Sequence, residues 1–334
     1  LTLIFFIAVF IFLTIKTVAN QARGENLFSY FAAFALGSFK KFVFWLLMVF
    51  FFGLIIQFAL FLIFSRQENQ STAPQRKIQK IILTLPSWFK DFAKITAPVA
   101  LILLLISLSL GMANFINKTN LKDEILTKLD VQILGNYSFI SLHSVNYPGW
   151  FVKTVELSFF NLALIMIFAS FYVFFKNKRL FREFASAISL SFLLAFPIWF
   201  FLPALSPQDR FIDNIYKLPL SAEMSQQLKN YRPQEEIVAF FKKERAYKAG
   251  MENMSTSTIP SAHVFWAVLL GYYLYRAKKW FAIIISPILI LSSFGTVFFA
   301  QHYFVDVPAG ILTAFAAIFL TTIYFNRIRQ RICS

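Results

Sequence analysis

The sequence predicts an all-α protein, a polytopic transmembrane helix bundle of about eight spans. Three observations carry that expectation. Apolar residues make up 58% of the 334 and charged residues only 14%, whereas a soluble domain averages about 45–50% and about 25%. Apolar runs of about 20 residues recur along the chain, the length that crosses a hydrocarbon core. The formal charge of +16 is gathered at the ends of those runs, where the positive-inside rule and anionic headgroups favour it. That placement argues for the lipid bilayer as partner and against nucleic acid. The single cysteine, Cys333, excludes an internal disulfide framework or a cysteine metal cluster.

In chain order, residues 1–18 form the first expected span, without a basic leader or a cleavage site of the signal-peptide kind. Within 19–41 the apolar stretch 27–39 is too short to cross untilted and is read as interfacial or re-entrant. Residues 43–64 are a second span. The segment 65–94 carries Arg66, Arg76, Lys77, Lys80, Lys90 and Lys94 and is read as cytoplasmic. Residues 95–115 are a third span, with Pro98 in its first turn, where proline is tolerated. Residues 116–150 read as an amphipathic extracytoplasmic loop containing His143, a lone loop histidine expected to be solvated. A fourth span at 151–175 ends in Lys176, Lys178, Arg179 and Arg182. A fifth, 185–204, carries Pro197. A polar loop, 205–259, leads to a sixth span at 260–275, ending in Arg276, Lys278 and Lys279. The seventh is 280–300 and the eighth 303–325, followed by the basic tail 326–334 with Arg327, Arg329 and Arg331. Counting back from that tail places both termini inside and the 205–259 loop outside; Lys40 and Lys41 fall on the wrong side under this count.

Two short stretches carry the chemistry. In His302-Tyr303-Phe304-Val305-Asp306 a helical spacing of four brings the carboxylate to the imidazole. A carboxylate on one ring nitrogen fixes the tautomer and frees the other nitrogen to attack or to take a proton; the bland alternative is a pair that merely joins two helices. Pro260-Ser261-Ala262-His263 heads the preceding span but one, so one span in and one out returns His302 to the face of His263. Two histidines on one face, one with a carboxylate, suit phosphoryl transfer. The N-terminus of the sixth helix, with the Ser261 hydroxyl, offers donors to a phosphate. Asp306 is the one convincing intramembrane acid in this reading, too few for a two-metal site, so chemistry without metal or other cofactor is expected.

Together, P-S-A-H and H-Y-F-V-D resemble the second and third signature motifs of the type 2 phosphatidic acid phosphatase superfamily, and the H-Y-F-V-D form is most similar to the inositol phosphorylceramide synthase branch, relatives of the fungal aureobasidin target. The resemblance spans roughly 151–325, read as the catalytic membrane core behind N-terminal membrane helices at 1–115. The stretch Leu129 to Gly135 resembles a D-x-x-L-F-G segment that precedes the core in the family. The stretch Leu202-Pro203-Ala204-Leu205-Ser206-Pro207-Gln208-Asp209-Arg210 resembles the proline-rich, arginine-ending segment that replaces the first motif in the synthase-like branch, with Arg232 as a rival. Phosphatases place lysine, glycine and arginine where this chain has Pro203, Ala262 and Thr296.

The resemblance implies a membrane phosphotransferase acting on a lipid-linked phosphate, and the count back from the basic tail puts His263, His302 and Asp306 on the extracytoplasmic side. His302 is then the nucleophile or base, Asp306 its orienting group and His263 the acid and base, with Arg210 and Ser261 on the phosphate. The alternatives are a lipid phosphate phosphatase, with water as acceptor, and a membrane transporter or structural protein with an inactive site. No internal repeat of the transporter kind is evident.

Overall fold

The computed structural model describes residues 120–248, 256 and 258–333, and most of 91–110. The expected first two spans, the 27–39 stretch and nearly all of the basic 65–94 segment lie outside the described residues. Within 91–110 the described residues are helical, and Phe92 there stacks on Phe171 and Phe181.

The described elements are helical throughout: α1 (Asp123–Leu134), α2 (Ser138–His143), α3 (Gly149–Lys176), α4 (Lys178–Phe201), a π-helical turn (Gln208–Ile212), α5 (Ala222–Asn230), α6 (Glu235–Lys248), α7 (Ala262–Ala277), α8 (Lys279–Phe298) and α9 (Asp306–Cys333). By length and composition α3, α4, α8 and α9 up to Ile328 can each cross a membrane. With 16 residues, α7 is about 24 Å long, shorter than a hydrocarbon core of about 30 Å.

This short helix is nevertheless central. It packs against α3, α4, α8 and α9, and Phe265, Leu269, Leu270, Tyr273 and Leu274 are buried to their full extent. Most of its length is apolar, as expected of a helix enclosed by its neighbours, and only Tyr275 and Arg276 at its C-terminal end are exposed. It approaches α9 closely at Gly310. A Cβ on Gly310 would stand 2.8 Å from the Ser261 carbonyl oxygen and 2.9 Å from Val264 Cβ, so hydrogen is the only side chain that fits there.

One-residue links reverse the chain at Asn177 and Lys278. These links and the distal part of α9 share one end of the bundle: Asn177, Arg179, Glu183, Arg276, Thr322 and Asn326 line a common cavity of about 250 Å³. There Glu183 accepts from Arg276 (2.6 Å) and faces Arg179 (3.4 Å). The Asn177 side chain accepts from Leu180 N–H (3.0 Å), an N-cap that starts α4 seven residues ahead of the expected 185. The basic residues of 178–182 therefore belong to the first turns of a helix.

At the opposite end, the two segments read from the sequence as loops fold into a helical cap. Leu126, Phe139, Phe211, Met224, Ile237, Phe240 and Phe241 form an apolar cluster with Val152, Val155, Phe298 and Phe299 of the bundle. Amphipathic stretches that are too short to span bury their apolar side against the span ends instead.

Candidate active site

The seven residues between α8 and α9, 299–305, are not helical, yet they sit at the junction of cap and bundle. Each backbone N–H in this stretch has a protein acceptor. Phe299 N–H donates to Gly295 O, Ala300 N–H to Val297 O, and those of Gln301 and His302 both donate to Thr296 O (2.9 Å each). Tyr303 N–H donates to Asp306 Oδ2 (3.0 Å). Phe304 and Val305 donate to the two oxygens of Asp130 (2.9 and 3.0 Å). Buried backbone donors must be paired, and more stringently so near lipid.

Asp306 is fully buried and is the first residue of α9, not the fourth as a span from 303 implies. His302 thus lies ahead of the helix, and a turn rather than a helical face brings Nδ1 to 3.0 Å from Asp306 Oδ2. A carboxylate only accepts, so Nδ1 carries the hydrogen and Nε2 keeps its lone pair.

The head of α7 meets this turn directly. Ser261 N–H donates to the Asp306 carbonyl (3.2 Å). Trp199 of α4 donates from Nε1 to Pro260 O (3.1 Å), and the His263 ring stacks on Phe159 of α3, centroids 4.6 Å apart and 3° from parallel. Ser261 has the extended backbone of an N-cap, but its side chain caps nothing. Ser261 Oγ, Thr258 Oγ1 and Asp306 Oδ1 are buried without a hydrogen-bond partner in the protein. Orphaned buried polar atoms are costly and uncommon in folded chains, and three of them flank the meeting point of α7 and α9.

The segment leading to Arg210 reaches the same turn. Gln208 N–H donates to Ala300 O (2.8 Å) and Gln301 Nε2 to Gln208 Oε1 (2.6 Å). The Arg210 guanidinium is buried over the Phe211 ring, donating to Pro219 O (2.8 Å) and Leu218 O (3.5 Å), with Nε 4.0 Å from Asp123 Oδ2. Two of its five N–H groups are thus spent on carbonyls. Arg232, the rival, is an exposed side chain turned onto the carbonyls of Lys229 and Tyr231.

Two carboxylates that the sequence reading left out of the site hold it together. Asp123 Oδ1 accepts from Leu205 N–H (2.8 Å) and Tyr303 O–H (3.3 Å), tying the arginine segment to the histidine turn. Asp130 carries that turn on both oxygens. Burial pushes the pKa of both acids upward, against the hydrogen bonds they accept. The available signal was their place in an amphipathic segment at the spacing of one helix face, Asp123, Leu126 and Asp130.

His143 departs from its expected solvation. It is buried under Phe241 and Phe298. Nε2 donates to the Phe298 carbonyl (2.5 Å), which leaves Nδ1 to accept from the Tyr231 hydroxyl. Burial lowers its pKa to about 4. Its amphipathic helix turns the ring inward, so it belongs to the packing of the cap. Among the described residues no group of three or more His, Cys, Asp or Glu side chains is arranged to hold a metal ion.

The sequence profile of the PAP2 superfamily matches residues 124–320. The chain belongs to the PAP2 superfamily. The match begins at the second residue of α1, so it takes in Asp130 but not Asp123, and runs through both histidine motifs into α9. No curated protein and no solved structure matches the chain. Where PAP2 phosphatases carry the third-motif arginine, the Thr296 side chain is buried and donates to Ser293 O (2.6 Å).

Two predictions follow from these contacts. In Asp130→Asn the amide keeps one acceptor oxygen and sets an NH2 against the other backbone N–H. The variant should lose about 1–3 kcal/mol of stability. Turnover should fall more steeply than that loss explains, read as a drop in kcat at matched folded protein in detergent. His143 has a folded pKa below its unfolded value, so its contribution to stability is whole above the unfolded value and is lost as pH falls towards 4. Between pH 7 and 5 this amounts to about 2 kcal/mol. Thermal unfolding at the two pH values should show the loss, and His143→Gln should flatten that part of the pH dependence.

Proposed function

We propose that this integral membrane protein is a lipid phosphotransferase that moves a phospho-headgroup from a lipid-linked donor to a second acceptor. The observation that carries the proposal is the His302–Asp306 pair, its Nδ1–H held by a buried carboxylate (3.0 Å), at the point where the head of α7 delivers His263 and the unspent Ser261 hydroxyl.

In this reading the His302 Nε2 lone pair attacks the donor phosphorus and the bond from phosphorus to the leaving lipid oxygen breaks. His263, protonated, gives its proton to that oxygen. It then takes the proton of the acceptor hydroxyl, which attacks the phosphohistidine as the P–N bond breaks. Asp306 stabilises the imidazolium and keeps the tautomer. Charge on the equatorial oxygens is met by backbone N–H groups at the head of α7, by Ser261 and by the remaining N–H donors of Arg210. With Pro203 and Thr296 in the places where phosphatases carry cations, this supply is thinner than theirs, which supports the synthase-like reading. The likeness of H-Y-F-V-D to inositol phosphorylceramide synthases makes phosphoinositol the headgroup, and a ceramide-like alcohol the acceptor, to try first. Metal is not required for these steps.

The proposed active side is extracytoplasmic, on the strength of basic residues at 176–182, 276–279 and 327–331. An impermeant thiol reagent on intact cells should label a cysteine placed at Ser221 and not one placed at Lys178; the reverse pattern would move the site to the cytoplasm.

The reaction is tested with purified protein in mixed phospholipids, with and without inositol phospholipid and ceramide, the products read by mass spectrometry. A new headgroup-bearing lipid formed at the donor's expense is expected. Release of phosphate or phospho-headgroup to water alone would make the enzyme a phosphatase. His302→Ala should abolish turnover, His263→Ala should nearly do so, and Asp306→Asn should cost roughly 10²–10⁴ by analogy with triad carboxylates. Arg210→Ala should cost on the order of 10²–10³. Full activity in either histidine variant would overturn the mechanism.

A further inference from the structure

The helix that holds the site turn has three faces, and only two of them are accounted for. Along α1 the stripe Asp123, Leu126, Asp130 is buried and makes the contacts described above. A second stripe, Glu124, Lys128, Gln132, is exposed and polar. A third, Ile125, Leu129, Ile133, is apolar, yet these side chains are 48%, 40% and 58% exposed. The two exposed stripes run i, i+4, i+8, so each follows one side of the helix. A helix in water has no use for such an apolar side, and 12 residues are too few to span, which takes about 20.

The position of α1 says what meets the third face. Its head is fixed to the end of α4, Lys122 N–H donating to Pro203 O (2.7 Å), two residues past the outward-facing Phe201. Asp130 is fixed to Phe304 and Val305, immediately before α9, whose outward side carries the exposed Leu312 and Phe315. Since α4 and α9 pack against each other, α1 lies across the ends of two neighbouring spans, at the level where their lipid-facing side chains stop. One face towards protein, one towards water and one continuous with the lipid-facing surface is the pattern of an interfacial helix.

We propose that α1 lies in the membrane–water interface at the His302 end of the bundle, with Ile125, Leu129 and Ile133 immersed at the boundary of headgroups and acyl chains. The bilayer then sets the level of α1, and α1 sets the level of the His302 turn through Asp123 and Asp130. A lipid headgroup phosphate meets the site at the depth where it already lies. The functional consequence rests on the proposed phosphotransfer; the placement of the helix does not.

The test uses the full chain in phospholipid vesicles, with Cys333→Ser as background and a small environment-sensitive fluorophore on a single cysteine at Leu129 or at Lys128. Quenching is read with phospholipids brominated near the top of the acyl chain and, separately, with aqueous iodide. The probe at 129 should be quenched strongly by the bromolipid and weakly by iodide, and the probe at 128 should show the opposite. Equal iodide quenching at both positions would overturn the proposal by placing the third face in water. Shielding of 129 from both quenchers would overturn it too, because protein, either the N-terminal part of this chain or a second copy, would then cover that face. Any other pattern also counts against it. No activity is measured, so a failed reaction assay and a failed placement remain distinguishable.

Discussion

A non-helical stretch of backbone at the edge of a membrane bundle has to find a protein acceptor for every N–H, and the turn from Phe299 to Val305 does so. Gly295, Thr296 and Val297 carbonyls at the end of α8 take the first four. Asp306 takes Tyr303, and Asp130 takes Phe304 and Val305. An imidazole on a regular helix would point wherever the helix period sends it. On a turn pinned in this way His302 is aimed by contacts from three directions, and the same Asp306 oxygen that receives a backbone N–H also receives the ring.

This arrangement explains why buried acids surround the site. Asp306, Asp130 and Asp123 each trade hydration for donors supplied by the chain. Isolated buried carboxylates are costly and hydrogen-bonded ones are tolerated where they specify geometry; Asp306 meets this on Oδ2 alone, its Oδ1 being without a partner in the protein. Asp123 also stands between Tyr303 and Arg210, so that the arginine segment and the histidine turn share one anchor. The cap is therefore part of the site's construction rather than a separate covering.

The second constraint is the close meeting of α7 and α9. Gly310 lets the α9 backbone approach the Ser261 carbonyl, and Ser261 N–H bonds the Asp306 carbonyl. The short α7 thereby brings its own N-terminal N–H groups, with their partial positive charge, up to the carboxylate-held histidine. In the proposed reaction this junction is where the anionic phosphate binds.

The sequence by itself determined the helical class, the four membrane-length apolar helices from 149 onward and the two histidine motifs, because these depend on apolar run length, basic flanks and spacings of a few residues. It also determined that His302 and Asp306 would meet, although the spacing of four is closed by a turn and not by a helix. Only the tertiary structure decided that Asp130 is the anchor of Phe304, 174 positions away, that Arg210 turns towards Asp123 and the 218–219 carbonyls, that His143 is packed inside the cap, and that the Ser261 hydroxyl caps nothing. These outcomes depend on which segments are brought together across long stretches of chain. No local period encodes that, and an aspartate written in an amphipathic stretch reads the same whether its carboxylate meets water or two backbone N–H groups.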